Sequence, residues 1–384
     1  MADTTPIMSV APFLTAWRTT ATRDREIIEA HVAHPHAGPS LALGQALERW
    51  PGLHYWAERD GGTGRRLVLI RALGPATRER WWLHALLLIT TFVTVLYAGT
   101  EIAGAVLPPA PHASPLALRQ LWAQVAAWAT GLRPGLPFAT ALLAILVTHE
   151  AGHYVAARRY AIDVSPPYFL PAPTWFLIGT LGAFIRVRSP IADRRQLIDV
   201  GAAGPWAGVV VAVVALVMGL AHSTPTDLVG PSKQMVMIAG TPYFLGDSIL
   251  TSLARRLVSG DGALVFSPLA FAGWMGLFVT MLNLLPLGQL DGGHVVYAML
   301  RERQTWVARA MWYLLLVLGI RWKSWWLWAA ITLIIGRGRV GHPSVLDRYR
   351  ALPRSRQVLG WLTLALFVAT FMPVPFPSWE VFGS

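Results

Sequence analysis

Within residues 136–161 the chain carries His149-Glu150-Ala151-Gly152-His153. On a helix, histidines four residues apart share one face, so both imidazoles can bind one zinc ion, and the intervening glutamate lies beside the open coordination position. Those residue types support hydrolysis: the metal acts as Lewis acid and Glu150 takes a proton from water. Residues 137–148 carry no charge. The motif is therefore written into a stretch apolar enough to cross a membrane, where ionisable groups are costly and by default functional.

Two histidines leave a catalytic zinc short of a third protein ligand. The chain has no Cys, so a thiolate cannot supply it, and no His falls between His153 and His222. The best remote candidate is Asp291, in Asn283-Leu284-Leu285-Pro286-Leu287-Gly288-Gln289-Leu290-Asp291-Gly292-Gly293-His294. It follows an apolar run, a proline break and glycine-rich backbone, a context that carries a carboxylate at membrane depth. Two alternatives stay open: Asp291 could cap the helix that follows it, and His294, one turn on, is a rival ligand.

The elements that must position these residues belong to a polytopic helical membrane protein. Of 384 residues 54% are hydrophobic and 14% charged, and the mean hydropathy is +0.47, outside the range of ordinary soluble domains. The formal charge of +12 suggests nucleic acid at first sight. The basic residues instead flank the apolar runs, as the positive-inside rule requires, so no nucleic-acid partner is expected. The Arg- and Ala-rich composition points to a bacterial inner membrane. With no signal-peptide pattern at the start, the N-terminus is expected in the cytosol.

Residues 1–80 read as a small α+β cytosolic domain: helices near 25–32 and 41–50, then a hairpin of 54–58 and 65–70 around the Gly-rich turn 60–64. Residues 81–376 read as the membrane domain, with its core at 136–300, and 377–384 as a tail. Six to eight membrane segments are expected, with spans at 82–106, 136–157, 197–221, 268–285 and 358–372 and a hairpin at 305–335. Residues 107–115 form a Pro-rich loop and 116–132 an amphipathic interfacial helix. Residues 222–268 form an outer loop, and the Arg-rich segment 337–356 lies inside.

Between residues 165 and 190 four prolines deny a helix, and the alternation that closes the segment suggests a strand or re-entrant hairpin. Such backbone is tolerated at membrane depth only where protein or a wet cavity surrounds it. Gly179, Gly182 and Ala183 in it are candidates to bind an unwound substrate strand by β-addition.

Taken together, the motif at His149 to His153, Asn283-x-x-Pro286 and Leu290-Asp291-Gly292 resemble the paired motifs of the site-2 protease family of intramembrane zinc metalloproteases. The similarity covers roughly residues 136–300, including Gly201-Ala-Ala-Gly204-Pro205-Trp206-Ala207-Gly208. It is greatest for the branch of plastid and bacterial homologues with Pro-Pro-Tyr-Phe and Gly-x-x-Gly-Ala segments, here Pro166 to Phe169 and Gly179 to Ala183, and no PDZ-like or CBS-like insertion is apparent. The resemblance implies one zinc per chain on His149, His153 and Asp291, Glu150 as general base, and Asn283 as a polar partner near the reacting carbonyl. It further implies cleavage of transmembrane protein substrates within the lipid bilayer. The rival functions are a metal or solute transporter using the buried His and Asp, for which no internal repeat speaks, and a proteolytically silent relative. Oligomeric state is not legible.

Overall fold

The computed structural model describes residues 9–21, 25–36, 40–57, 66–72, 79–106, 118–160, 162–173, 176–188, 191–227, 233–342, 345 and 351–377. The Gly-rich turn at 60–64, the Pro-rich loop at 107–115, residues 346–350 of the Arg-rich segment and the tail from 378 lie outside them.

The N-terminal region is an antiparallel sheet of β1 (Leu14–Ala21), β2 (Arg25–Val32), β3 (Gly52–Ala57) and β4 (Arg66–Ala72), in the order β1-β2-β4-β3. One helix, α1 (Leu41–Glu48), packs Leu43 and Leu47 against Ile28, Ala30, Leu67 and Leu69. Ser40 caps it by accepting from the Leu43 N–H. The helix expected near 25–32 is the strand β2. Its Glu and Ala suit a helix, but Ile28, Ala30 and Val32 alternate onto the buried face, and strands on both sides satisfy its backbone.

Three helices are long and apolar enough to cross a membrane. The first is α2 (Trp81–Ile102); α3 (Leu118–Gly131) follows and leads into α4 (Leu136–Arg159) through one apolar stretch, Val125–Arg159; and α5 (Arg194–Leu220) is the third. The residues expected as a separate interfacial helix thus partly extend the second span. Leu86, Ile89, Val210, Val214 and Met218 are exposed on these helices, as lipid-facing side chains are. Buried share rises from 33% in α2 to 56% in α5, which makes α5 the central span.

Between α4 and α5 lies the hairpin of β5 (Tyr168–Pro171) and β6 (Thr180–Phe184), antiparallel and two-stranded. After α5, where a loop is expected, comes a four-stranded sheet. It is built from β7 (Thr224–Pro225), β8 (Gln234–Ile238), β9 (Thr241–Leu245) and β10 (Leu264–Val265), with α6 (Ile249–Ser259) between β9 and β10. The remaining helices are α7 (Pro268–Asn283), α8 (Asp291–Leu300), α9 (Gln304–Leu318), α10 (Ser324–Ile335) and α11 (Arg354–Thr370). Of these, α7 and α10 are apolar but shorter than a span. A single core joins α2, α4, α5 and α7 through Val95, Phe138, Leu142, Leu216, Phe271 and Trp274.

Candidate active site

His149, Glu150 and His153 lie in the C-terminal half of α4, all buried. The four-residue spacing brings the two imidazoles onto one face, and their Nε2 atoms are 3.1 Å apart. Their neighbour is α5, whose glycines take the place of side chains. A Cβ on Gly204 would overlap the His153 ring, one on Gly208 would come within 3.1 Å of His149, and Gly152 of α4 meets the backbone of Ala203. The two helices therefore approach backbone to backbone, and the imidazoles lie in the groove between them. His153 is oriented further by its Nδ1, which donates to the Val200 carbonyl at 2.8 Å. Since a carbonyl only accepts, Nδ1 carries the proton and the Nε2 lone pair faces inward.

Asp291 is the first residue of α8, and the N-cap position before it, Leu290, makes no side-chain bond. The carboxylate is not spent on capping. Its Oδ2 lies 3.4 Å from His149 Nε2 and 3.3 Å from His153 Nε2. The turn that carries it is fixed by the Gly288 N–H donating to Val340 O at 2.7 Å and by Gln304 Nε2 donating to Pro286 O at 3.3 Å. At the end of α7, Asn283 reaches His149 Nε2 with its Nδ2 at 3.3 Å.

Three potential donor atoms thus converge on one point, an arrangement that a cation relieves. The donor set fits zinc. Bonds of about 2.0–2.1 Å place tetrahedral donors roughly 3.3–3.4 Å apart, close to the 3.1, 3.3 and 3.4 Å edges found here. Among the described residues, His149, His153 and Asp291 are the group that could hold a metal ion. His294, the rival, turns its Nδ1 to His342 Nε2 at 2.8 Å and stands outside that group.

The hairpin lies against the same centre. The backbone of Ile185, directly after β6, hydrogen-bonds the Glu150 carboxyl. Gly179, at φ +70°, sits where a Cβ would overlap the Thr94 carbonyl, and its own carbonyl accepts from Thr94 Oγ1 at 2.7 Å. Gly182, at φ +101°, and Ala183 lie on β6, paired with Leu170 and Phe169. The hairpin is tied to α2 by His84, whose Nδ1 is 3.0 Å from Pro167 O and whose ring stacks near Tyr168. Glu79 and Arg188 form an ion pair at the same end, and the Arg188 guanidinium holds the Glu79 carboxyl below its usual range. Sequence reasoning missed His84, Thr94 and this ion pair. Only the apolar setting of His84 could have drawn attention to it.

A buried pair of histidines and a carboxylate, gathered from separate helices among membrane-length spans, defines an integral membrane protein with an internal metal-binding centre. Residues 137–318, which contain the whole constellation, match the model of Peptidase family M50. This part of the chain is similar to that family, the site-2 proteases. The chain is 38% identical over 166 residues to "Probable zinc metalloprotease EGY1, chloroplastic" of Arabidopsis thaliana, covering 42% of this chain and 29% of that protein. To "Probable zinc metalloprotease EGY2, chloroplastic" of the same plant it is 29% identical over 252 residues, 64% of this chain and 43% of that one. It is also 34% identical over 149 residues to the Arabidopsis "DDT domain-containing protein PTM", 34% of this chain but 8% of that protein. The chain spans less than half the length of these relatives. No solved structure matches with significance.

Proposed function

We propose that the protein is an intramembrane zinc metalloprotease that hydrolyses peptide bonds of transmembrane protein substrates. The observation that carries this reading is the convergence of His149, His153 and Asp291 beside a buried glutamate that has no basic partner in an ion pair among the described residues. His149, His153 and Asp291 would hold one zinc, which when bound supplies a Lewis acid to polarise the scissile carbonyl.

Glu150 acts as general base. It takes a proton from water as the new C–O bond forms, then delivers it to the nitrogen as the C–N bond breaks. Asn283, an amide donor beside His149, orients the reacting carbonyl. A membrane-spanning substrate hides its carbonyls in its own helix, so it must unwind. Gly179, Gly182 and Ala183 belong to a hairpin whose second strand has one unpaired edge, which supports backbone pairing with the unwound segment.

In this reading residues 1–80 are a cytosolic domain, residues 81–376 the protease domain and 377–384 a tail. The shorter apolar helices complete six to eight membrane segments. The protein resides in a bacterial inner membrane, its N-terminus in the cytosol, with the basic ends Arg158-Arg159 and Arg301 on that side. Glu150→Gln tests the reading. The purified variant should retain zinc and lose cleavage of a reconstituted transmembrane substrate; undiminished cleavage would overturn it.

A further inference from the structure

Beside the turn that leads into Asp291 lies a cavity of about 810 Å³, bounded by the start of α9, the end of α10 and the segment that follows α10. Three arginines line it: Arg309, Arg337 and Arg339. Among the described residues no lining residue is acidic, and none of the three arginines forms an ion pair. Guanidinium groups stay charged at every working pH; all three are exposed, so solvent screens part of their mutual repulsion and an anion between them relieves the rest.

The backbone is shaped to bring them together. Arg337 at φ +51° and Gly338 at φ +80° are consecutive left-handed residues, and the reversal they make lets Arg337 and Arg339 line the same cavity. A left-handed arginine costs energy that glycine would avoid. Arg309 lies over the Trp306 ring, 5.3 Å from its centroid, and Trp306 is largely exposed, as interfacial tryptophans are. Arg301 and Arg303 directly precede the start of α9, whose Thr305 and Arg309 line the cavity, so this end of the molecule is strongly basic.

We propose that this cavity is a binding site for a phosphate group, carried by an anionic phospholipid of the leaflet on that side. Arg is suited to phosphate because its planar fork donates two parallel hydrogen bonds. The volume admits a headgroup as well as a bare ion. A water occupies about 30 Å³ of liquid, and this space is many times larger, enough for a phosphate with its glycerol attachment. Trp306, against the lining residue Arg309, and Ile335 in the lining supply apolar contact for the lipid side of the headgroup.

The test reads binding, independently of peptide hydrolysis. The full-length protein in neutral detergent is titrated with phosphatidylglycerol in one arm and inorganic phosphate in another, and bound ligand is counted by native mass spectrometry. One phosphatidylglycerol per chain should be retained. Arg337→Gln with Arg339→Gln should weaken it about tenfold or more. Arg301→Gln with Arg303→Gln removes the same charge from the same end of the molecule and should leave binding unchanged. Arg337→Lys with Arg339→Lys, which keeps charge but loses the fork, should fall between. Retention of inorganic phosphate, sensitive to the same variants, would support the phosphate site and assign it to the free anion. If neither ligand is retained, or if both double Gln variants weaken binding equally, the proposal fails.

Discussion

The metal-binding centre and the β5–β6 hairpin lie against each other and are built on opposite principles. The centre takes its donors from α4 and α8, presses them against α5 and buries His149, Glu150 and His153. The hairpin is paired along one edge only, and Leu181 on it is 60% exposed. Fixed geometry serves a reaction whose groups must be held to fractions of an ångström. In the proposed reading an open edge receives the backbone of the substrate. The glycines show the same division: Gly204 and Gly208 make room for side chains that do not move, whereas Gly179 and Gly182 adopt positive φ to shape a strand.

Substitutions can break either side of this comparison, and the largest effect should come from the centre. Gly204→Ala inserts a methyl group into the His153 ring. Zinc affinity and cleavage should fall about 100-fold or more, while circular dichroism shows the helices retained. Gly208→Ala, with a few tenths of an ångström to recover, should lose less; equal and negligible losses would show that α5 does not set the imidazoles. On the hairpin, Leu181→Pro removes a backbone donor from β6. It should raise KM about tenfold with zinc content unchanged; loss of zinc would mean that the hairpin also supports the centre.

Two smaller effects sharpen how the hairpin is held. Thr94→Val keeps the shape but deletes the 2.7 Å bond to Gly179. It should cost about 1 kcal/mol of local stability, read as faster amide exchange in β6. The Glu79–Arg188 ion pair gives the smallest effect and a pH signature. Glu79 has its folded value lowered, first by the hydrogen bond from Arg188, so its contribution is fully present above its ordinary value of 4.5 and is lost as pH falls through the lower folded value. Proteolysis of the hairpin should therefore increase in acid, and Glu79→Gln should remove that pH dependence.

The uneven legibility of the sequence has physical causes. The α4 motif is readable because helix periodicity fixes how His149 and His153 face each other, and Asp291 because a carboxylate in apolar, glycine-broken sequence is expensive without a purpose. The roles of Gly204 and Gly208 depend on which helix packs on which, a long-range fact that spacing does not contain. The same holds for Thr94 and His84, whose partners lie more than eighty residues away. Residues 25–32 read as helix because Glu and Ala favour one locally, and pairing with β1 and β4 overrides that preference. The sheet of β7 to β10 escaped notice because its longest strands have only 5 residues, too short for alternation to stand out.

The central claim is that one zinc is shared between the α4 histidines and a carboxylate more than a hundred residues away. Zinc-edge X-ray absorption on the purified protein tests it most directly, with metal content measured alongside. The account predicts one zinc per chain, with two imidazole nitrogens and oxygen in its nearest shell, and weakened binding in Asp291→Ala. A shell of three imidazoles, or zinc held unchanged in Asp291→Ala, would contradict it.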